Sequence, residues 1–431
     1  MTEITKSITF LNEYKQLKKA LKEGKTPVLA VGLAAIHKAN LAAALGADLK
    51  RPVLVLTDDD NAANRFAADL HGFSEREVVV LPSRELVMAD VAGVSRGYEQ
   101  ARLASLAALP GAAFAVASVQ AAAQRTMPPE LLRSSVVTLT AGESAPLDEL
   151  THGLVSAGYE RCAQVEGAGQ FSVRGGILDI FPPQSANPYR VEFWDDEIDS
   201  ISTFDVGSQR RLEQCDTLRC LPCMETIPAL AKGGAAGLAK AVLALVSTRR
   251  KKQHAELQKN LERDAERLRE SGTLPAADKY MPLIYPEITT AFDYLPENTL
   301  VLIEDTPRLR DAARDFHARI ADDVTALMER GEMPGGLDGY ALDFAGICGV
   351  KRQIVRMDSF LNNVSELAPQ HLENFVANQM NAYGGNLDMA SADIRSYTEQ
   401  GRAVAVVCGS ELRCRNMLDA LTDSGLRAQL S

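Results

Sequence analysis

A segment near the start of the chain has the spacing of a phosphate-binding loop. Gly32 and Lys38 stand where the pattern G-x-x-x-x-G-K-[ST] has its first glycine and its lysine. The second glycine, which lets backbone amides curl around a phosphate, is replaced by His37, and Ala39 lacks the hydroxyl that binds Mg²⁺. We therefore predict no ATP hydrolysis at this degenerate phosphate loop, although the amides at a helix N-terminus can attract an anion weakly.

Two acids later in the chain are candidates for the metal-binding partner of such a loop. Glu304 and Asp305 end the segment Leu295–Asp305, in which the apolar residues Leu300–Ile303 have the composition of a buried strand. The pair resembles the Walker B acids of nucleotide-driven motors, but the usual order, Asp-Glu, is reversed. In isolation, two acids at the end of a strand are ordinarily just solvent-facing residues. Together with the degenerate phosphate loop, however, we interpret this pair as a degenerate Walker B site.

The cysteines and histidines do not form a recognisable metal or catalytic pattern. Cys220 and Cys223 have C-x-x-C spacing, but a zinc site needs four ligands, and no second pair follows. Redox pairs of this spacing begin a helix in thioredoxin-like units, which this segment does not resemble. We predict structural thiols, no metal and no catalytic residues in this chain.

Residues 167–206 alternate between apolar and polar side chains, which predicts strands with one wet face. In the strand that ends at Trp194, Val191 and Phe193 point to one face, whereas Arg190, Glu192 and Trp194 point to the other. Trp194 is the only tryptophan of the chain. Tryptophan and arginine on an exposed strand are typical of a protein-binding hot spot.

Arg174 lies beside the turn residues Gly175 and Gly176, which predict a hairpin between two of these strands. An alternative interpretation assigns no binding function to the charged face. Trp194 would then cover a neighbouring domain, and the arginines would pair with Glu192 or Asp195.

Composition limits the classes of protein to which this chain can belong. It has 431 residues, 46% of them hydrophobic, and a formal net charge of −11, which argues against a chain whose main task is to grip nucleic acid. The one dense basic run, Arg249–Lys252, lies among glutamates and is interpreted as a solvated helix face. No apolar run reaches ~18 residues and no signal peptide is evident, so we expect a cytoplasmic protein without a membrane span.

Four short apolar strands with helical patterns between them are predicted in residues 1–133, which indicates a parallel sheet covered on both faces. These strands are Val28–Val31, Val53–Leu56, Val78–Leu81 and Ala113–Ala117. The acids Asp58–Asp60 after the second strand suggest a metal at first sight, but a helix N-cap and first-turn acids explain them more simply.

We predict three further segments. Residues 134–220 form an α+β unit with the antiparallel strands, and residues 221–360 return to the first unit, with a long charged helix over Gly237–Ser271. Residues 361–431 form a small α/β unit. Its predicted elements are a helix near Met389–Thr398, a strand over Ala403–Val407, and a helix capped by Ser410. A further strand would begin near Leu426, so we expect a fragment of a longer protein.

The run from Gly167 to Asp205 resembles the UvrA-binding domain shared by UvrB, the damage-loading subunit of excision repair, and the transcription-repair coupling factors (Mfd). UvrB-type loaders keep an intact phosphate loop and an aromatic hairpin that probes DNA. Here the loop is degenerate and Pro82–Gly97 contains no aromatic residue. The chain therefore resembles the N-terminal, UvrB-homologous module of the Mfd family, followed by a small domain.

This resemblance implies a degenerate P-loop, helicase-lobe-like parallel sheet with an inserted UvrA-binding domain. It implies that Arg174, Arg190 and Trp194 contact UvrA; the family often has Phe at the position of Trp194. The family's own C-terminal domain masks this surface. By the same resemblance, RNA polymerase, DNA, ATP and Mg²⁺ would bind domains that are missing here, so no cofactor is expected for this chain. The location implied is the bacterial cytoplasm.

Two alternatives remain open at this point. One is an ATP-dependent, UvrB-like damage-loading enzyme, against which His37, Ala39 and the lack of a second motor lobe argue. The other is an interaction scaffold unconnected with repair, against which the length of the Gly167–Asp205 resemblance argues.

Overall fold

The computed structural model describes residues 3–90, 96–245, 253–376, 380–408 and 410–430. Its β-strands are β1 (Val28–Val31), β2 (Val53–Thr57), β3 (Val78–Leu81), β4 (Phe114–Ser118), β5 (Val137–Thr140), β6 (Glu160–Arg161), β7 (Gln170–Arg174), β8 (Ile177–Ile180), β9 (Tyr189–Trp194), β10 (Glu197–Phe204), β11 (Arg211–Cys215), β12 (Thr217–Cys220), β13 (Leu300–Glu304), β14 (Gln353–Asp358) and β15 (His371–Asn374).

Its α-helices are α1 (Glu3–Thr9), α2 (Asn12–Lys22), α3 (Ala35–Leu49), α4 (Asp60–His71), α5 (Gly97–Ala108), α6 (Val119–Ala123), α7 (Pro129–Ser134), α8 (Leu147–Ser156), α9 (Gly234–Ala244), α10 (Gln253–Glu270), α11 (Met281–Ile284), α12 (Thr306–Glu329), α13 (Phe344–Cys348), α14 (Leu387–Glu399) and α15 (Glu411–Asp423).

Seven strands form one parallel sheet in the order β15-β1-β14-β13-β2-β4-β3. A hydrophobic core covers each face of the sheet. Because successive side chains of a strand point in opposite directions, one strand contributes to both cores. In β2, Val53 and Val55 enter one hydrophobic core, whereas Leu54 and Leu56 enter the other. The predicted parallel sheet with two covered faces is confirmed.

The acids after β2 cap a helix, as the sequence predicts. Asp59 is the N-cap of α4, and its Oδ1 accepts a hydrogen bond of 2.6 Å from the amide of Ala62. The carboxylate of Asp60 accepts hydrogen bonds from the hydroxyls of Ser83 and Ser118. These contacts give Asp59 and Asp60 structural roles at the start of α4.

A second sheet has six strands in the order β11-β10-β9-β8-β7-β6, antiparallel except for the short β6–β7 pair. One face packs on its own core, which includes Phe171, Leu178 and Val191. The strands β5 and β12, at the beginning and the end of the inserted segment, form a separate antiparallel pair. This pairing brings the two ends of the inserted unit together. The predicted fold, an antiparallel unit inserted into a parallel α/β unit, is confirmed.

A network of buried charges holds the end of the insertion against the larger unit. Glu225 accepts hydrogen bonds from Arg84, at 2.6 Å, and from Arg102, at 3.2 Å. Arg84 also donates to both oxygens of Asp278. Burial makes each unpaired charge costly, so the members of this network depend on one another.

The prediction of one long charged helix over Gly237–Ser271 is wrong. The described residues of this segment form two helices, α9 and α10, which pack against each other. Its α10 part has an exposed charged face and a buried side that includes Leu261, Ala265 and Leu268. The basic run Arg249–Lys252 lies outside the described residues.

The last unit departs from the prediction in two ways. The strand expected over Ala403–Val407 has no sheet partner in the described part of the chain, and Val407 is exposed. Apolar content alone therefore did not make a strand here. Moreover, residues 371–374 fall within the predicted segment 361–431, where no strand was predicted for them, but they form β15 and pair with β1 in the large sheet. The helix capped by Ser410 forms as expected: the Ser410 hydroxyl accepts from the amide of Arg413.

Candidate protein-interaction site

The polar face of the second sheet displays the predicted binding residues on two strands, β7 and β9, that flank β8. Arg174 ends β7, and Arg190 and Trp194 lie on β9. The two-residue turn that predicted a hairpin joins β7 to β8, with Gly175 at a φ of +60°, a backbone conformation that glycine adopts without strain. As predicted, Val191 is buried on the opposite face and Phe193 packs against the same core.

A buried carboxylate joins the two arginines. Asp179 lies on β8, directly opposite Arg190, and its side chain is only 1% exposed. Arg190 donates through Nε to Asp179 Oδ1 at 2.7 Å and through Nη2 to Oδ2 at 2.9 Å. Arg174 donates through Nη2 to Asp179 Oδ2 at 2.7 Å. The alternative of arginines paired with Glu192 or Asp195 is therefore wrong: both arginines pair with Asp179.

Arg190 is held by more than this ion pair. Its guanidinium carbon lies 4.7 Å from the centroid of the Phe204 ring, within the range of a cation–π contact. Its Nη2 also lies 3.4 Å from Oε1 of Gln209. Hydrogen bonding to Asp179, against the opposing effect of burial, raises the pKa of Arg190. With 16% of its side chain exposed, Arg190 presents a small and fixed cationic surface.

Glu192, on the same face, is tied down within the sheet. It accepts hydrogen bonds from Arg211, on β11, and from the hydroxyl of Ser200, at 3.0 Å. Burial acts to raise the pKa of Glu192, but these hydrogen bonds outweigh it and lower that pKa. Glu192 is thus an anion of the face whose hydrogen bonds go to Arg211 and Ser200, and not to the two arginines that hydrogen bond to Asp179.

Trp194 lies at the tip of the face and contacts little of the chain. It pairs with Glu197 across a two-residue turn in which Asp195 has a φ of +56°. Trp194 is 82% exposed. The alternative in which Trp194 covers a neighbouring domain is therefore wrong within this chain. An exposed indole on the same sheet face as two arginines has the composition of an interface hot spot.

Two members of this arrangement were not predicted from the sequence, Asp179 and Phe204. Asp179 interrupts the otherwise apolar strand Ile177–Ile180. An acid in such a strand, with arginines on the strands predicted beside it, is the sequence feature that could have identified it. Phe204 offered no such signal, because its contact with Arg190 depends on the pairing of β9 with β10. The role of Arg174, Arg190 and Trp194 as partner contacts stays a prediction.

The degenerate phosphate loop folds differently from a nucleotide cradle. Helix α3 begins at Ala35, so the position of the second glycine, His37, already lies in the first helical turn. Gly32 has a φ of +81°, and a Cβ at this position would lie 2.1 Å from the carbonyl oxygen of Phe375. The chain at Phe375 therefore crosses directly over the first glycine, where a phosphate-binding loop would need open space.

The sequence-predicted Lys38 and Glu304 do come together. Lys38 Nζ lies 3.7 Å from Glu304 Oε1, and the lysine side chain is only 5% exposed. Burial raises the pKa of Glu304, with the attraction of Lys38 opposing it. Lys38 and Glu304 line a cleft of about 350 Å³. Its charge is mixed, since the cleft also contains Arg65, Arg308 and further acids.

The neighbouring acid, Asp305, has a structural position. It is the N-cap residue of α12, with a φ of +60°, and its Oδ2 lies 3.3 Å from the hydroxyl of Ser359. Ala39 is fully buried in the core, which leaves no room at that position for a hydroxyl directed to a metal. The loop and acid residues thus form a packed junction between α3 and β13.

The Cys220 and Cys223 thiols are buried beside Tyr159, whose hydroxyl donates to the carbonyl of Leu221 at 2.7 Å. Burial raises the pKa of Cys220 to about 12 and that of Cys223 further, so neither forms a thiolate readily. Within the described ranges, no group of three or more His, Cys, Asp or Glu side chains is placed to hold a metal ion. None of the described helices has the length and apolar character needed to cross a membrane.

Known proteins resemble this chain both in the inserted segment and over longer stretches. The profile of the UvrB interaction domain matches residues 137–225, the segment that forms the second sheet. The transcription-repair-coupling factor of Bacillus subtilis is 28% identical to this chain over 98% of the chain and 37% of its own length. The Escherichia coli factor of the same name is 31% identical over 66% of the chain and 24% of its length. The Mycobacterium tuberculosis factor is 32% identical over 62% and 22%.

The chain thus spans little more than a third of the length of the Bacillus relative. The relatives and the matched domain together support a role in DNA repair.

Proposed function

This chain is related to the transcription-repair coupling factors (Mfd) along almost its whole length, and from this premise we propose that it is an adaptor that recruits the repair subunit UvrA. The observation that carries the proposal is the matched UvrB interaction domain at residues 137–225, with Arg174, Arg190 and Trp194 on its polar face. UvrA is the partner that the family resemblance implies for this domain.

The chemistry of the face supports a partner with carboxylates and an apolar recess. Asp179 accepts three of the N–H bonds of the two arginines, and Arg174 keeps half of its side chain exposed, so further N–H groups are free to meet an acidic side chain. Trp194 supplies a large exposed ring that a recess on the partner can desolvate. Charge attraction sets orientation and association rate, and burial of the ring supplies affinity.

The wider functions of the parent protein are part of the same proposal. The parent would be an ATP-dependent DNA translocase that releases RNA polymerase stalled at lesions. ATP, Mg²⁺, DNA and polymerase would bind regions beyond this chain. Its own C-terminal domain would mask the face of Arg174, Arg190 and Trp194 until the motor engages polymerase, so this chain alone would bind UvrA constitutively.

The alternative of an ATP-dependent, UvrB-like loader finds little support in this geometry. The first glycine of the loop, Gly32, is covered by Phe375, and the lysine lies in a helix beside Glu304. An ATP-binding loop needs backbone amides that are open to phosphate and a hydroxyl for Mg²⁺. We propose that this chain itself is not an enzyme.

The proposal is tested by titrating the purified chain against UvrA in a calorimeter. A variant with Arg174, Arg190 and Trp194 changed to Ala is run beside the parent. A matched control changes two exposed arginines and an exposed aromatic outside the inserted domain, Arg314, Arg330 and Phe10. We expect binding by the parent and the control, and a loss of at least about 100-fold in the first variant.

Circular dichroism and thermal unfolding establish that each variant is folded before its affinity is compared. If the parent does not bind UvrA, recruitment by this chain is wrong. If the parent binds and the first variant binds equally well, the recruiting surface lies elsewhere on the chain.

A further inference from the structure

The carboxylate of Asp179 occupies a place on the polar face from which it reaches both arginines. Strand β8 lies between β7 and β9, so a side chain on it has neighbours on both sides. Asp179 is opposite Arg190 on β9, and Arg174 on β7 is opposite Ile177, two positions away on the same face of β8. A long arginine side chain spans such a diagonal.

Burial makes this carboxylate dependent on the two arginines. Asp179 is 1% exposed, and a buried ionised carboxylate needs hydrogen bonds and opposite charge. Both oxygens are used: Oδ1 accepts from Arg190, and Oδ2 accepts from Arg190 and Arg174. Asp179 is therefore bonded within the chain and, because it is 1% exposed, does not offer an acceptor to a partner.

The two arginines depend on Asp179 to different extents. Arg190 also contacts Phe204 and Gln209, whereas Arg174, with 51% of its side chain exposed, extends from the sheet edge to Asp179. Two guanidinium groups at one carboxylate would otherwise repel each other and move apart. A long side chain that is ordered before binding loses less conformational freedom on association.

We propose that Asp179 is a positioning residue of the recognition face, which holds Arg174 and Arg190 in their binding geometry without touching the partner. The inference rests on the proposed function, because the consequence of this positioning is affinity for UvrA. Recognition of the partner would then depend on a buried acid as well as on the exposed basic and aromatic residues.

The test uses the whole chain with Asp179→Asn, which keeps the shape of the side chain and removes its charge. The matched control is Ser172→Ala, because Ser172 is the buried residue opposite Asp179 on β7 and hydrogen bonds to the carbonyl of Ala163. We expect Asp179→Asn to weaken UvrA binding about 10-fold or more and Ser172→Ala to change it less than about twofold.

A double-mutant cycle separates positioning from a general effect on the fold. If Asp179 acts through Arg174, the loss caused by Asp179→Asn shrinks about threefold or more when Arg174 is already changed to Gln. An undiminished loss in the Arg174→Gln background, or no loss in the parent background, overturns the inference.

A second measurement does not require UvrA. The Nε–H proton of Arg190 donates to Asp179, so in arginine-labelled protein it should exchange slowly with solvent in the parent and markedly faster in Asp179→Asn. Equal exchange rates would overturn the positioning role. Failure of the parent to bind UvrA would contradict the proposed function instead, and the exchange rates would still decide whether Asp179 holds the arginine.

Discussion

The ammonium of Lys38 lies 3.7 Å from the carboxylate of Glu304, so the lysine of a phosphate-loop pattern is paired with an acid of its own chain. In a nucleotide-binding site this lysine would meet phosphate oxygens. Here an internal anion takes that place, and Phe375 covers the first glycine of the pattern. The junction resembles a motor lobe in its arrangement, but its lysine is paired within the chain.

The first prediction concerns nucleotide. Because Gly32 is covered and Lys38 is paired, the chain should neither bind ATP-Mg²⁺ with micromolar affinity nor hydrolyse it. Calorimetric titration and a phosphate-release assay check this, with Lys38→Ala as the comparison. Turnover by the parent that disappears in Lys38→Ala would show that this site is an active one.

The second prediction concerns the pH dependence of stability at Glu304. Burial raises its pKa above the ordinary value of 4.5, so the native chain binds this proton more tightly than the unfolded chain. The stability from this group is fully present below pH 4.5 and is lost as the pH rises through the native pKa. Relative to the parent, Glu304→Gln should therefore become more stable as the pH is raised. Thermal unfolding of the parent and of Glu304→Gln, at pH values below and above 4.5, measures this difference in stability. The same pH dependence in both proteins would contradict the prediction.

The third prediction has the opposite sign and concerns Glu225. Burial acts to raise its pKa, but the attraction of Arg102 and Arg84 outweighs burial and lowers it. Its stability contribution is therefore present above the ordinary pKa of 4.5 and is lost as the pH falls through the native pKa. Glu225→Gln should cost about 3–5 kcal/mol at neutral pH, because it leaves buried arginines unpaired.

Urea unfolding measures the free-energy cost of Glu225→Gln. Glu130→Gln is the matched control, because Glu130 is an exposed acid that also pairs with an arginine, and it should cost less than about 1 kcal/mol. Equal effects of the two substitutions would show that the buried network adds little.

The fourth prediction separates the two arginines of the recognition face. Arg190→Ala removes both hydrogen bonds of one guanidinium to the buried Asp179 and should destabilise the chain by about 1–3 kcal/mol. Arg174→Ala removes a half-exposed partner and should cost less than about 1 kcal/mol. Urea unfolding of the two variants compares them, and a larger cost for Arg174→Ala would contradict the structure.

The fifth prediction concerns Trp194, whose ring is 82% exposed. Trp194→Ala should leave the unfolding midpoint unchanged and weaken UvrA binding by about 2 kcal/mol or more, the range of an interface anchor. Leu212→Ala is the matched control, since Leu212 is an exposed apolar residue on the edge strand β11 of the same sheet. Equal losses of affinity in the two variants would show that Trp194 is not the anchor.

Much of the fold follows from local patterns. The buried strands β1 and β3 have the bounds that their apolar runs predict, and Asp59 caps α4 as its position before the helix predicts. The two faces of β9 follow from alternation alone. These features depend on backbone geometry over a few residues, which is why composition and spacing determine them.

Local patterns also misled in places. The run Ala403–Val407 has strand composition but no partner in the described chain, because a strand needs a neighbour to satisfy its amides and carbonyls. Strand β15 was not predicted: its residues fall in the predicted last unit, yet they pair with β1 in the large sheet. Sheet membership depends on long-range pairing that a single sequence does not display.

The sequence by itself determined that the phosphate loop lacks its glycine and hydroxyl, and that Arg190 and Trp194 share a wet strand face. Only the tertiary structure decided that Lys38 meets Glu304 and that Asp179 joins Arg174 to Arg190. The physical reason is that strand order and register choose which distant side chains become neighbours. Burial then makes those particular charge pairs energetically necessary.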